Sequence, residues 1–370
     1  MHLPMGMYAM KLLWILVNNS FVIHFYRHAG LVSLCGRAIH RFLYPETDPK
    51  MRVLSFDTWQ KFTVTKLQDV IMEYPTFSKM VNTLTKEKHR DALDLLRSYF
   101  LGEFDEFLRV NHPDQHRLAA FLAAEGALQS DPLNKGINFK ISSPLVDMLI
   151  RQLVIPKAYP NAPSIPIPNR TDGSLDTWRV LKECFQFFDK DLLRIATALS
   201  YKSSEVHVRG RTKLQVPRES VYNTELTRLL TNWVGMQKQY TISGQYHLID
   251  PTKTGNEKHK YCNVVIKKKD KPTILLELLA SGNEDTIQAH IDKTPRYKSL
   301  ASADEAWIVH YTCEDGYLDG VKPYWDEKAI MQGINMVHFW HDLEFTTARM
   351  SAFWKDENGM LQKDFQQWTI

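Results

Sequence analysis

The segment ILLELLA places one carboxylate, Glu277, in a run otherwise too apolar to welcome a charge. Burying an unpaired carboxylate is costly, so Glu277 calls for a cation, a metal ion, a hydrogen-bond network or the mouth of an active site. An ion pair with a neighbouring lysine would serve as well. Side chains on a strand repeat every two residues, so Leu275, Glu277 and Leu279 share a face. In an ExK arrangement the third position sets a water-orienting lysine beside a metal-binding carboxylate, and here that position is Leu279. A second carboxylate, Glu225, lies mid-helix in RESVYNTELTRLLTNWV. His310, His338, His341 and Asp342 gather the residue types that bind Zn²⁺ or a catalytic metal. An HxxH spacing on a strand does not align both rings on one face, so polar packing at strand ends is the expected role of these histidines.

Lys253, Lys258, Lys260, Lys267, Lys268, Lys269 and Lys271 crowd into a short stretch opposed only by Glu257 and Asp270. Such density suits a phosphate-facing patch, and equally a solvated hairpin edge whose lysines prevent edge-to-edge strand pairing. The chain holds no GxxxxGK[ST], GxSxG or HExxH and no glycine-rich dinucleotide fingerprint, which disfavours nucleotide hydrolysis and the common hydrolase chemistries.

These side chains need a scaffold, and periodicity outlines one. From Phe56 to Val154 the apolar spacing predicts an all-helical stretch, with Leu67, Val70, Ile71 and Tyr74 recurring at three to four residues. The proline-rich VIPKAYPNAPSIPIPNRTDG, centred on residues 155–173, denies helix and central strand and reads as a surface connector. A helix then carries Trp178, Leu181, Phe185 and Phe188, capped by Ser174 or Asp176. From Arg218 to Val234 the residues Val221, Leu226, Leu229, Leu230 and Trp233 form one helical stripe. Strands are expected over 240–249, 261–267 and 273–279, an amphipathic helix over 284–300, and strands over 306–311 and 335–340. The fold class is therefore α+β: an N-terminal and middle helical region, then a mixed α/β domain. The expected divisions are 1–50, 51–215 and 216–370.

With 370 residues, 44% of them hydrophobic, the chain can bury cores of two or three domains, which excludes wholesale disorder. The net charge of +4 hides two balances: residues 216–370 carry 18 Lys/Arg against 21 Asp/Glu, the remainder 28 against 21. A nucleic-acid site, if present, must be local. No run of about eighteen apolar residues exists, so no membrane partner is expected. Cys35, Cys184, Cys262 and Cys313 show neither CxxC nor disulfide spacing and read as buried thiols of a reducing, intracellular compartment. Lys11 ahead of Leu12 to Val17 begins a signal-like pattern that Asn18, Asn19 and Ser20 interrupt. The apolar segment 1–50 is read as part of a larger core, a remnant in this chain.

The segments VPRESVYNTELTRLLTNWV, SGQYHLI, YCNVVIKKKDKPTILLELLASG, HIDKTPRYKSLASADEAWIVHYTCED and INMVHFWHDLEFTTARMSAFWKD resemble the C-terminal domain of Crinkler-type effector proteins of fungi and oomycetes. That domain is similar to the PD-(D/E)xK, or restriction-endonuclease-like, superfamily. The resemblance implies an αβββαββ domain over 216–370, with no P-loop NTPase module visible ahead of it in this chain. It puts the family's helix glutamate at Glu225, its strand aspartate at Asn263, its second carboxylate at Glu277 and its lysine at Leu279. A migrated lysine is then sought on the neighbouring helix at Lys293. The implied metal is Mg²⁺ at Glu277 and Asn263, weakened because a neutral amide removes a unit of charge. Lys267, Lys268, Lys269 and Lys271 would contact the phosphates of DNA or RNA. The implied functions are a degenerate, nucleic-acid-binding nuclease-like module, an active endonuclease using Lys293, or an interaction module for a host protein, with the host nucleus as its site of action.

Overall fold

The computed structural model describes residues 34, 36–46, 58, 62, 66–102, 107–131, 133, 136–199, 201–238, 240–254, 257, 259–315 and 325–369. Most of segment 1–50, with Cys35, lies outside the described residues, as does Lys258. The chain divides into two compact units: residues 1–95, 102–154 and 249–259, and residues 96–101, 155–248 and 260–370.

The first unit is mainly helical, with helices such as Pro75–Leu84 and Pro113–Ala124. It departs from the all-helical expectation between 108 and 141. There Leu108–Arg109, Leu128–Ser130 and Asn138–Ile141 pair antiparallel as a three-stranded sheet. Gly126 and Gly136, both at positive φ, end the helical period, and Asn138–Ile141 then pairs with both partners.

The second unit is α+β. After the short helical turns Leu96–Phe100 and Ile155–Ala158, the second of which lies inside the proline-rich stretch expected to deny helix, comes α1 (Thr177–Gln186), capped by Asp176, whose carboxylate accepts from the Arg179 N–H. Next come α2 (Lys190–Leu199) and a two-stranded ribbon of β1 (Tyr201–Ser203) and β2 (Gln215–Pro217). Helix α3 (Glu219–Leu229) continues as a π-helical turn through Gly235. The main sheet follows: β3 (Thr241–Ile249), β4 (His259–Lys267) and β5 (Ile274–Ala280), then α4 (Glu284–Leu300) and β6 (Glu305–Thr312). After a short α5 (Glu327–Met331) come β7 (Ile334–His341), β8 (Thr347–Lys355) and β9 (Leu361–Thr369). The seven strands lie in the order β9-β8-β7-β6-β5-β4-β3. β5, β6 and β7 run parallel, crossing over through α4 and α5, and antiparallel neighbours flank them.

Strands β8 and β9 carry no clear sequence signal. β9 reads LQKDFQQWT, is exposed at every second residue, and among the described residues pairs on one side only. One of its faces meets solvent and the other is only half-buried, so its apolar content stays low.

Helices α1 and α2 share one core with the sheet. Trp178, Phe185 and Phe188 pack with Tyr222, Tyr311 and Phe339, and the second face of the sheet buries Leu279, Ile287, Ile291 and Ile308 beneath α4. The proline-rich segment is pinned rather than loose. Its prolines leave carbonyls without ladder partners, and α3 supplies the donors. Arg228 donates to the carbonyls of Tyr159 and Asn161, Asn232 to those of Pro156 and Tyr159, and Trp233 Nε1 to that of Ile165.

Glu225 is the centre of this assembly. Arg97, on the helical turn Leu96–Phe100, donates to Oε1, Arg228 donates to both oxygens, and the Asp189 N–H donates to Oε2 at 3.0 Å. Arg97 also reaches Asp189 Oδ2 at 2.8 Å and lies over the Tyr159 ring. Burial alone would raise the Glu225 carboxyl, but the two guanidinium groups outweigh it and hold it at about 2. A carboxylate depressed below its ordinary value contributes stability that is present above pH ~4.5 and lost as pH falls toward ~2. Glu225→Gln should therefore lower unfolding free energy at pH 7 by about 3–5 kcal/mol in urea titrations, since it strands two buried arginines. The difference from wild type should shrink as the titration is repeated toward pH 2–3; a loss that does not depend on pH would refute this role.

Candidate functional site

In the antiparallel pairing of β4 and β5, Val264 faces Leu276, Val265 faces Leu275 and Ile266 faces Ile274. Continuing that register puts Asn263 across from Glu277 on the same face. At this point the Asn263 side chain takes over from the ladder: its Oδ1 accepts from the Leu278 N–H at 2.8 Å. Its Nδ2 donates to Glu219 Oε1 at 2.6 Å, drawing in the first residue of α3.

Glu277 is 2% exposed. From α4, Lys293 Nζ lies 2.5 Å from Glu277 Oε1, and His290 Nδ1 lies 3.5 Å from the same atom. His290 and Lys293 are three residues apart, one turn, so one helix face delivers both. Lys293 Nζ also lies 5.6 Å from the centre of the Tyr297 ring, one further turn along. Lys202, half-buried on β1, acts electrostatically on Glu219 and His290.

Burial pushes the Glu277 carboxyl up to about 7; Lys293 opposes this and the neighbouring Glu219 adds to it. Glu219 is itself raised, first by burial, with the Asn263 amide and the two lysines opposing. His290 is brought down to about 4 by burial, then by Lys293 and Lys202, which keeps its ring neutral at pH 7. Glu277 Oε2 and His290 Nδ1 have no hydrogen-bond partner among the described residues.

Three of the residues singled out from sequence thus converge, namely Asn263, Glu277 and Lys293. Glu225 does not join them, because both its oxygens are committed to Arg97, Arg228 and the Asp189 N–H. The helix carboxylate that does face the group is Glu219, six residues earlier. Its signal was available: Glu225 sits on the apolar stripe between Val221 and Leu229, with Arg228 one turn on, as a buried ion pair requires. Leu279 belongs to the core beneath α4 with Ile287, Ile291 and Ile308, so that position packs the sheet and Lys293 supplies the ammonium. Lys202 lies on a short ribbon outside the stretch where sequence reasoning looked, and no spacing pointed to it.

The lysine cluster serves the β4–β5 turn. Lys267 Nζ donates to the Tyr246 hydroxyl at 2.8 Å, Lys268 lies over the Tyr240 ring, and Lys271 donates to the Asp172 carbonyl at 2.6 Å. Lys269 is exposed. Lys267 is four residues from Asn263 along β4, ~13 Å at the usual strand rise. The histidines of the last strands are also committed. Gly282 N–H donates to His310 Nε2, whose Nδ1 meets His338 Nδ1 at 2.9 Å, while His341 takes the Tyr222 hydroxyl at 2.7 Å.

A divalent ion can be tested against these donors. Glu277 Oε2 and the Glu219 carboxylate are the right type. However, Lys293 already holds the other oxygen of Glu277, and the Asn263 amide nitrogen occupies Glu219. Two carboxylates face two ammonium groups, Lys293 in contact with Glu277 and Lys202 acting on Glu219. Arranged in this way, the group does not fit a resident Mg²⁺.

No family model, curated protein or solved structure matches the chain. The functional reading therefore stands on this geometry. Among the described residues no helix is long and apolar enough to cross a membrane.

A carboxyl raised in the folded state binds protons that the unfolded state releases, so its contribution is present below pH ~4.5 and lost as pH rises through ~7. Glu277→Gln should accordingly match wild type near pH 5 and exceed it at pH 8 by on the order of 2 kcal/mol. Thermal melts across that range would read several degrees of divergence; parallel melting curves would contradict the buried, proton-binding carboxyl.

Proposed function

We propose that residues 216–370 form a Crinkler-type, restriction-endonuclease-like domain that binds nucleic acid and whose phosphodiesterase site is degenerate. The order α3, β3, β4, β5, α4, β6, β7 supports the αβββαββ reading. The observation that carries it is the meeting of Asn263, Glu277 and Lys293: a strand position for Asp, a strand carboxylate opposite it, and a lysine arriving from the next helix within 2.5 Å. Chemically the group holds the parts of a phosphate-handling centre in a charge-neutral state. The Asn263 amide stands where a third carboxylate would create demand for a cation, and this favours binding without cutting.

The ligand on this reading is DNA or RNA, met by the exposed Lys269 and the lysines near it. Fluorescence anisotropy with labelled single- and double-stranded oligonucleotides should show binding whose log affinity falls with log salt, with a slope near −1 per phosphate contacted. Supercoiled plasmid with Mg²⁺ or Mn²⁺ should survive the wild-type chain. Because Lys293 already fills the lysine position, Asn263→Asp alone should confer metal-dependent nicking. Nicking by wild type that Glu277→Ala abolishes would make the protein an active endonuclease instead. Absence of binding to any oligonucleotide would leave a protein-interaction module.

A further inference from the structure

We propose that β9 is a pairing edge: a second copy of this chain lays its own β9 antiparallel against it, joining two seven-stranded sheets about a two-fold axis at Phe365. The proposal stands apart from the nucleic-acid reading and uses none of its residues.

An edge strand offers a row of unpaired N–H and C=O groups, and folded proteins blunt such edges with proline, kinks, short strands or charge. β9 lacks the first three. It is nine residues long, holds no proline, and keeps an unbroken one-to-one register with β8 from Leu361 to Thr369. Its one lysine, Lys363, is offset by the adjacent Asp364. The opposite edge of the same sheet shows the contrast. There β3 carries Gln245 at φ 49°, a left-handed kink in mid-strand that breaks the row of donors and acceptors. Of the two edges that the described residues form, β9 alone is uninterrupted.

The order of residues selects the occupant. A two-fold axis perpendicular to a sheet joins strands antiparallel and puts one residue opposite itself, so that residue defines the register. Phe365 is the middle residue of β9, and only the register centred on it pairs the whole strand. Leu361 then faces Thr369 of the second copy, Gln362 faces Trp368, Lys363 faces Gln367, Asp364 faces Gln366, and the two Phe365 rings meet. Each charge lies opposite a neutral amide. A slip of one residue toward the N-terminus sets Asp364 against Asp364, and a slip of two sets Lys363 against Lys363. Slips the other way leave Leu361 and Gln362 unpaired, and a parallel strand in register stacks both charges on themselves. The side chains suit the axis as well. Phe365 is 62% exposed and Leu361, on the same face, 51%, so the second copy covers the two large apolar groups that β9 leaves in water. On the other face Gln366 already donates to Asp364 at 2.8 Å, and the axis brings the same amide and carboxylate together from both copies. Two strands of this length exchange about eight to ten main-chain hydrogen bonds. The contact is a strip rather than a broad face, so the dimer is reversible.

Sedimentation equilibrium of the full chain, from about 1 to about 200 μM, should show reversible conversion of one chain to two and no further. Phe365→Lys and Phe365→Glu each set like charges together at the axis, and each should weaken dimerisation at least about tenfold. Their melting curves at low concentration should match wild type, because the replaced ring is exposed. An equimolar mixture of the two variants should recover dimers, since the register centred on position 365 brings opposite charges face to face. Gln367→Glu, set against Lys363 of the second copy, should tighten the dimer about two- to tenfold. Wild type that stays monomeric at about 200 μM overturns the proposal, as does growth beyond two chains or full-strength dimerisation by both Phe365 variants. Failure of the mixture to associate, or of Gln367→Glu to tighten the dimer, overturns it equally.

Discussion

A single buried carboxylate organises the larger unit. Glu225 sits between two guanidinium groups, and those groups fan out to Asp189, to the Tyr159 ring and to three backbone carbonyls. Such an arrangement gains little net energy from its charges, because desolvation consumes most of the attraction. Its value is geometric. The proline-rich segment has no ladder of its own, and its free carbonyls become anchor points for α3. With α3 fixed in depth and rotation, its first residue, Glu219, arrives at the middle of β4 where Asn263 can reach it.

The polar group at Glu277 then follows from where β4 and β5 stop pairing through their backbones. Asn263 closes the gap with both ends of its amide, one to the Leu278 N–H and one to Glu219. An aspartate could accept the first contact but not supply the second, and would face two other carboxylates. The local structure is thus self-consistent with asparagine: the amide does by hydrogen bonding what a cation would otherwise do by charge. This is why the carboxylates can coexist at close range with Lys293 and Lys202 as their only counter-charges among the described residues.

The elements of the second unit were legible because their signals are local. The strand ILLELLA, the helix 284–300 and the parallel pair around Trp307 and Val337 appear within a residue or two of their expected bounds. Glu277 and Lys293 were legible for the same reason, one as a charge in an apolar run and the other as a lysine one helix away. What failed to show was long-range. The partner of Glu225 at Arg97 is 128 residues distant, and its presence turns a site candidate into a structural anchor. Lys202 acts on Glu219 and His290 from a three-residue strand that no periodicity announces. The short sheet between Leu108 and Ile141 was masked by helical spacing on either side, and β9 by a composition fit for water.

The outermost strand has a consequence in time rather than in energy. β9 is bonded to β8 alone among the described residues, so alternate backbone amides along Leu361–Thr369 point away from the sheet with nothing to hold their hydrogens. In the separate chain, solvent deuterium should enter them in an every-other-residue rhythm within seconds to minutes, while β5, β6 and β7 exchange only on opening of the whole unit. The sheet is thus graded, quick at its polar rim and slow at the strands that carry Glu277, so that buried group sits in the part of the molecule that forgets its solvent last.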